Sequence, residues 1–180
     1  DYLGPRGIRY KTLVLEHLQE QKDAFFSGRC QAYTARRTRL AALRMEAPGG
    51  GKGFLILPET LSREPLGPVV KRGDEEWFRV VKWVLFTLID AEELGITGEG
   101  VRRAGKTPAD PKMRRFLAAG KEFGKVLGVS PDWTLQIIGG VGNYGEIYER
   151  NFGGKSALKL DRGPNRLWTE GGLMYAPPFK

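Results

Sequence analysis

The period at which apolar and polar residues recur changes several times along the chain. In "IRYKTLVLE" (8–16) they alternate among good β-formers, which predicts a strand. In "HLQEQKDAFFSGR" (17–29) Leu18, Ala24 and Phe25 recur at roughly helical spacing, and Gly28 is placed to stop the helix. "CQAYTA" (30–35) reads as a second short strand, "RTRLAALRME" (37–46) as a second helix and "GFLILPETL" (53–61) as a third strand. This β-α-β-α-β order predicts an α/β layer with a mainly parallel sheet. "SREPLGPVVKRGD" (62–74) breaks the pattern, because Pro65 and Pro68 deny helix, and it reads as an extended crossover ending in a turn. Asp74 then caps a strong helix over 75–93, where Trp77, Val80, Val81, Val84, Leu88 and Ile89 share one face. Further helices are expected at about 110–120 and at 131–140, the latter opened by Ser130 and Pro131. The Gly-, Pro- and aromatic-rich tail "GPNRLWTEGGLMYAPPFK" reads as an arm packed on the surface.

One turn in this pattern carries unusual chemistry. In an open α/β sheet ligands collect beyond the carboxyl ends of strands, so residues Thr34 to Arg37 are candidates for touching one. Three arginines, Arg36, Arg37 and Arg39, crowd that turn. The whole chain has a formal net charge of +8, compatible in itself with nucleic-acid or anionic-membrane binding. The basic residues are nevertheless scattered through every segment and nowhere interleave with aromatics as in single-strand binders, so nucleic acid is not the default partner. Cys30 is the only cysteine and has no partner within the chain. The longest apolar run, 77–89, is too short to span a bilayer and contains Arg79 and Lys82. The opening "DYLGPRG" has neither an initiator Met nor an apolar leader, so no signal peptide is expected in this chain.

The remaining motifs lack the context their chemistry needs. Gly140-Val141-Gly142-Asn143-Tyr144-Gly145 is a literal G-x-G-x-x-G, and Asp161 follows at about the distance of a ribose-binding acid. The preceding "DWTLQII" reads as helix, however, and a dinucleotide fingerprint needs a strand there. "GGGKG" (49–53) lacks the spacing and the hydroxyl of a phosphate loop. His17 has no second ligand at metal spacing and cannot serve as base to Ser27, Ser62, Ser130 or Ser156, which fall in caps or turns. The acid pairs Glu75–Glu76 and Glu92–Glu93 fall on helix starts or solvated faces. No catalytic residue, metal ligand or cofactor is expected, and hence no enzyme.

Four stretches carry a family resemblance: "SGRCQAYTARRTRLAALR", "LPETLSREPLGPVVKRGDEEWFRVVKWVLFTLIDAEELGIT", "WTLQIIGGVGNYGEIYERNFG" and "LWTEGGLMYAPP". In order along the chain, they resemble the substrate-binding proteins of polar amino-acid ABC transporters, in particular the general L-amino-acid-binding subfamily. The resemblance implies the C-terminal half of a periplasmic two-lobed clamp that works with a membrane permease. The implied fold is α/β, an incomplete type II periplasmic-binding-protein fold. Residues 1–62 would be part of lobe two and 63–74 a hinge crossover. Residues 75–180 would be the helical return to lobe one with a C-terminal extension.

The resemblance also assigns the turn. In the family an aspartate following Cys-Asp-Ala-Tyr-Thr-Thr meets the ligand's ammonium, and the matching residues here are Cys30 to Arg36, so Thr34, Ala35 and Arg36 are the candidate ligand-binding residues and Arg36 replaces the aspartate. Breaking a buried charge pair on one side costs about 3–5 kcal/mol, or about three decades of affinity. The expectation is a solute-binding component, or a truncated and degenerate homologue, whose ordinary amino-acid site is lost. A homodimer or a complementing chain is expected to cover its open surfaces. The alternatives are half of a split binding protein completed in trans, or a module that binds small anions or nucleic acid through 36–39.

Overall fold

The computed structural model describes residues 2–105 and 108–179, and the chain divides into two compact units, Asp1–Leu66 and Gly67–Lys180. The division falls inside the proline-marked crossover.

The first unit contains two helices, α1 (Leu18–Phe26) and α2 (Arg37–Glu46). Gly28 follows the last turn of α1 with φ +77°, the left-handed geometry in which glycine is least strained. A small aromatic cluster holds the unit together. Phe25 lies 5.8 Å from Tyr33 and 5.4 Å from Phe54, and Phe26 meets Phe54 edge-on at 5.3 Å. Ala24, Ala41, Leu43 and Ala47 are buried. Gly51 closes the turn after α2 at φ +76°, where a Cβ would lie 2.4 Å from the Arg44 carbonyl oxygen. The α/β expectation is met in part here, in its helices and not in its strands. Among the described residues there is no strand: 8–16, 30–35 and 53–61 run as non-helical chain, and the sole β-bridge is Leu167 with Met174 in the other unit. A β-rich pattern makes a strand only when a neighbour supplies ladder hydrogen bonds, and no backbone bond joins these three runs. Their apolar side chains stay open, with Val14 81%, Leu55 80% and Leu57 64% exposed.

The second unit is a helical assembly of α3 (Glu75–Glu93), α4 (Gly98–Ala104), α5 (Pro111–Leu127), α6 (Trp133–Val141) and α7 (Tyr144–Asn151). The Asp74 carboxylate accepts from the Trp77 amide at 2.9 Å, as its position before an amphipathic run predicts. Thr97 caps α4 and Asp110 caps α5 in the same manner, each at 3.0 Å. The helix expected to end near 120 continues to Leu127. Gly120 and Gly124 lie inside it because α6 approaches there: a Cβ on Gly120 would meet Thr134 Cγ2 at 2.4 Å, and one on Gly124 would meet the Trp133 ring at 2.9 Å. The core is Ala91, Ile96, Val101, Met113, Phe116 and Ile138, drawn from α3 to α6. A second cluster of Ile89, Leu167 and Ala176 docks the tail on α3. The tail is thus partly core: Phe179 lies within 6 Å of Trp83, Phe116, Phe123 and Trp133.

Candidate functional site

Thr34, Ala35 and Arg36 form the segment entering α2. Thr34 and Arg36 are exposed and Ala35 is half-buried. Arg36 occupies the N-cap of α2 without a side-chain capping bond, and the first turn of the helix holds no acidic residue. A helix N-terminus favours negative charge, yet Arg36, Arg37 and Arg39 all stand at this one. The three side chains differ in what they do.

Arg39 is committed to structure. Its Nη2 donates to the Tyr33 hydroxyl at 2.8 Å and to Gln21 Oε1 at 3.3 Å, and the Tyr33 hydroxyl donates to the same Gln21 oxygen at 2.8 Å. Gln21 Nε2 in turn donates to the Leu15 carbonyl at 2.6 Å. One glutamine side chain thus joins the 8–16 run, α1, the 30–35 run and α2. Arg36 points elsewhere. Its Nε donates to Glu64 Oε2 at 3.1 Å, with 60% and 56% of the two side chains exposed. Arg37 is exposed on the first turn of α2. Sequence reasoning missed Glu64; the only signal was a lone acid in the basic, proline-flanked stretch "SREP".

The G-x-G-x-x-G stretch serves the fold. Its glycines span the end of α6, a sharp corner and the first turn of α7, with no strand before them. Gly142 sits at φ +80°, ψ −178°, a conformation essentially restricted to glycine. Asn143 then forms a capping box with Glu146, accepting from the Glu146 amide at 2.9 Å while Glu146 Oε2 accepts from the Asn143 amide at 2.9 Å. That same oxygen accepts from the Gly98 amide at 2.8 Å, and Asn143 Nδ2 donates to the Ile96 carbonyl at 2.9 Å, locking the corner to the start of α4. Asp161, twenty residues on in the motif's logic, accepts from the Gly163 amide and pairs with Arg166 in the tail. The spacing Asn143-x-x-Glu146 is the sequence signal that would have located α7.

The other candidates fall into local roles. His17 precedes α1 without a side-chain cap bond, and Ser27 and Ser156 bond to nearby carbonyls. Cys30 is a free, half-buried thiol. Among the described residues no group of His, Cys, Asp and Glu could hold a metal ion, and no helix is long and apolar enough to cross a membrane. A shallow apolar groove of about 240 Å³ runs along α3 between Pro68, Trp77, Val81 and Leu88, without a charged lining residue.

Known proteins are similar to this chain along its whole length. The chain is 43% identical over 182 residues to the general L-amino acid-binding periplasmic protein AapJ of Rhizobium johnstonii, covering all of this chain and 53% of that protein. It is 38% identical over 180 residues to the glutamate/glutamine/aspartate/asparagine-binding protein BztA of Rhodobacter capsulatus, again over its full length and 53% of the relative. The solved structure of an ABC transporter periplasmic binding protein from Brucella ovis, with glutathione bound, superposes with a TM-score of 0.87 at 41% identity, over 99% of this chain and 56% of that one. No family model matches the chain.

The chain therefore resembles the C-terminal half of the periplasmic substrate-binding protein of an amino-acid ABC transporter. It spans about half the length of the curated relatives it matches. Those relatives are named as binding proteins, and none of them as an enzyme.

Proposed function

We propose that the chain is a solute-binding component of an amino-acid ABC transporter in which the turn Thr34–Ala35–Arg36 faces the solute and Arg36 excludes an ordinary zwitterion. The observation that carries this reading is the identity of residue 36, an arginine in a stretch that otherwise resembles amino-acid-binding proteins throughout. A guanidinium repels an ammonium and attracts a carboxylate, bidentately where geometry permits. The solute it suits is an anion. Glutathione, which the Brucella ovis neighbour holds, has two carboxylates and one ammonium and fits that description better than a neutral amino acid. The crowding of cations at the N-terminus of α2 supports the same preference, since an anion there relieves both the arginine repulsion and the helix dipole.

The runs 8–16 and 53–61, which form no strand among the described residues, bear on the partners. Their exposed Ile8, Val14, Leu55 and Leu57 suit burial against a second polypeptide, either another copy of this chain or a complementing one, alongside the permease. The periplasm is the compartment that goes with this function.

A thermal-shift screen against the twenty amino acids, glutathione, phosphate and sulfate tests the reading. A solute at a hundred times its dissociation constant adds about 2.7 kcal/mol, which raises the midpoint of a chain this size by about 5–10 °C. A shift with glutathione or the inorganic anions and none with neutral amino acids is expected. A shift with neutral amino acids overturns the role given to Arg36. Light scattering after size exclusion is expected to show a dimer, and a clean monomer removes the second copy.

A further inference from the structure

We infer that Glu64 is a built-in competitor for the solute's carboxylate on Arg36, so that an anion binds at the turn by displacing a carboxylate the protein itself supplies. This rests on the reading above that the turn faces the solute. The geometry is that of an exchangeable contact. Arg36 meets Glu64 through Nε alone, at 3.1 Å, and its two terminal nitrogens have no partner among the described residues. Both side chains are more than half exposed, so water and salt reach the pair and hold its strength to that of a surface ion pair. A carboxylate that takes two guanidinium nitrogens at once replaces a single bond with two.

The surroundings single out this pair. Arg39 is unavailable, since its guanidinium already serves Tyr33 and Gln21. Glu64 precedes Pro65, which restricts residue 64 to extended backbone and so limits where its carboxylate can swing. Because Glu64 neutralises Arg36, a monocarboxylate that displaces it gains a hydrogen bond but no net charge pairing. A solute with a second carboxylate gains in addition from Arg37, which is exposed one residue away. The class selected is therefore dicarboxylates and anionic peptides.

The test follows the Arg36 Nε–H resonance by NMR in the full chain, identified by its loss in Arg36→Lys, during titration with glutarate and with glutathione at low salt. The resonance is expected to move saturably in the unsubstituted chain. In Glu64→Gln the half-saturation concentration is expected to fall about two- to fivefold, the range of a surface ion pair. Glu64→Ala is expected to follow Glu64→Gln, and about 0.5 M NaCl to close the gap. Movement with the same half-saturation in all three proteins overturns the competitor role and leaves the anion site standing. Weaker binding in Glu64→Ala overturns it in favour of Glu64 as an orienting group. No movement in any of them overturns both this inference and the reading on which it rests.

Discussion

Glu92 of α3 and Arg162 of the tail form an ion pair with only 12% and 13% of their side chains exposed. The contact is two-pronged, with Nη2 to Oε2 at 3.1 Å and a second, shorter bond from Nη1 to Oε1. The Arg162 guanidinium also lies 5.6 Å and 5.5 Å from the Tyr144 and Tyr148 ring centroids, so the pair joins α3, α7 and the tail. Gly145 is part of the arrangement, because a Cβ there would lie 2.6 Å from Glu92 Oε1.

Removing one partner leaves a buried charge uncompensated. Glu92→Ala is expected to lower stability by about 3–5 kcal/mol. Replacing both partners, as Glu92→Leu with Arg162→Met, is expected to recover most of that loss. Urea unfolding followed by tryptophan fluorescence measures it; a single substitution as mild as the double one would contradict the assignment.

Close approach of α5 and α6 makes a second prediction. Gly120→Ala places a methyl 2.4 Å from Thr134 Cγ2, and Thr134 is fully buried. Overpacking of this kind costs about 1–3 kcal/mol, against the few tenths to one that alanine ordinarily contributes in a helix. Thermal unfolding of Gly120→Ala is expected to show a lower midpoint, and an unchanged or higher one would mean that the helices separate freely.

The pH dependence of stability has an identifiable contributor in Asp90. Burial, and then the charge of Glu93, push its carboxyl from the usual 3.8 up to about 6. A carboxyl that binds its proton more tightly when folded contributes stability that is fully present below about pH 3.8 and is lost as pH rises through about 6. Asp90→Asn removes the ionisation. It is expected to raise the unfolding midpoint near neutral pH and to leave it unchanged near the acid end of that window. Equal midpoints for the two proteins at neutral pH would show that the charged form is not disfavoured.

In the first unit the decisive substitution is Gln21→Ala. It strips the Leu15 carbonyl of its side-chain partner and leaves the Tyr33 hydroxyl and Arg39 only each other. Leaving part-buried polar groups unpaired costs about 1–3 kcal/mol. All four tryptophans lie in the other unit, so far-UV circular dichroism or amide exchange in α1 is the readout. A Gln21→Ala chain with unaltered exchange in α1 would remove the hub role.

Local signals in the sequence were legible where the chain itself supplies the partner. The helix after Asp74 runs over the expected 75–93 because its cap and its apolar stripe are both local, and α2 spans the expected 37–46 without a side-chain cap, on a local run of good helix formers. The helices α4 and α7 were missed because glycines crowd their starts. The signals that define them are the caps Thr97 and Asn143, not an apolar stripe. The strands expected at 8–16, 30–35 and 53–61 are not formed among the described residues because their bonds must come from residues distant in sequence, which an alternating pattern cannot supply. At the site, sequence placed three arginines together but could not divide them. That Arg39 turns inward to Gln21 and Arg36 outward to Glu64 depends on contacts across 18 and 28 residues.

Glu146 Oε2 serves as acceptor for two amides, those of Gly98 and Asn143, which begin different helices. A single swing of that carboxylate releases both amides at once, while Thr97 and Asn143 keep their own capping bonds. The two amides are therefore expected to trade hydrogen for deuterium with one common protection factor, although they are far apart in sequence. Opening of these two amides then becomes one event with one rate, timed by a rotation about a single side chain.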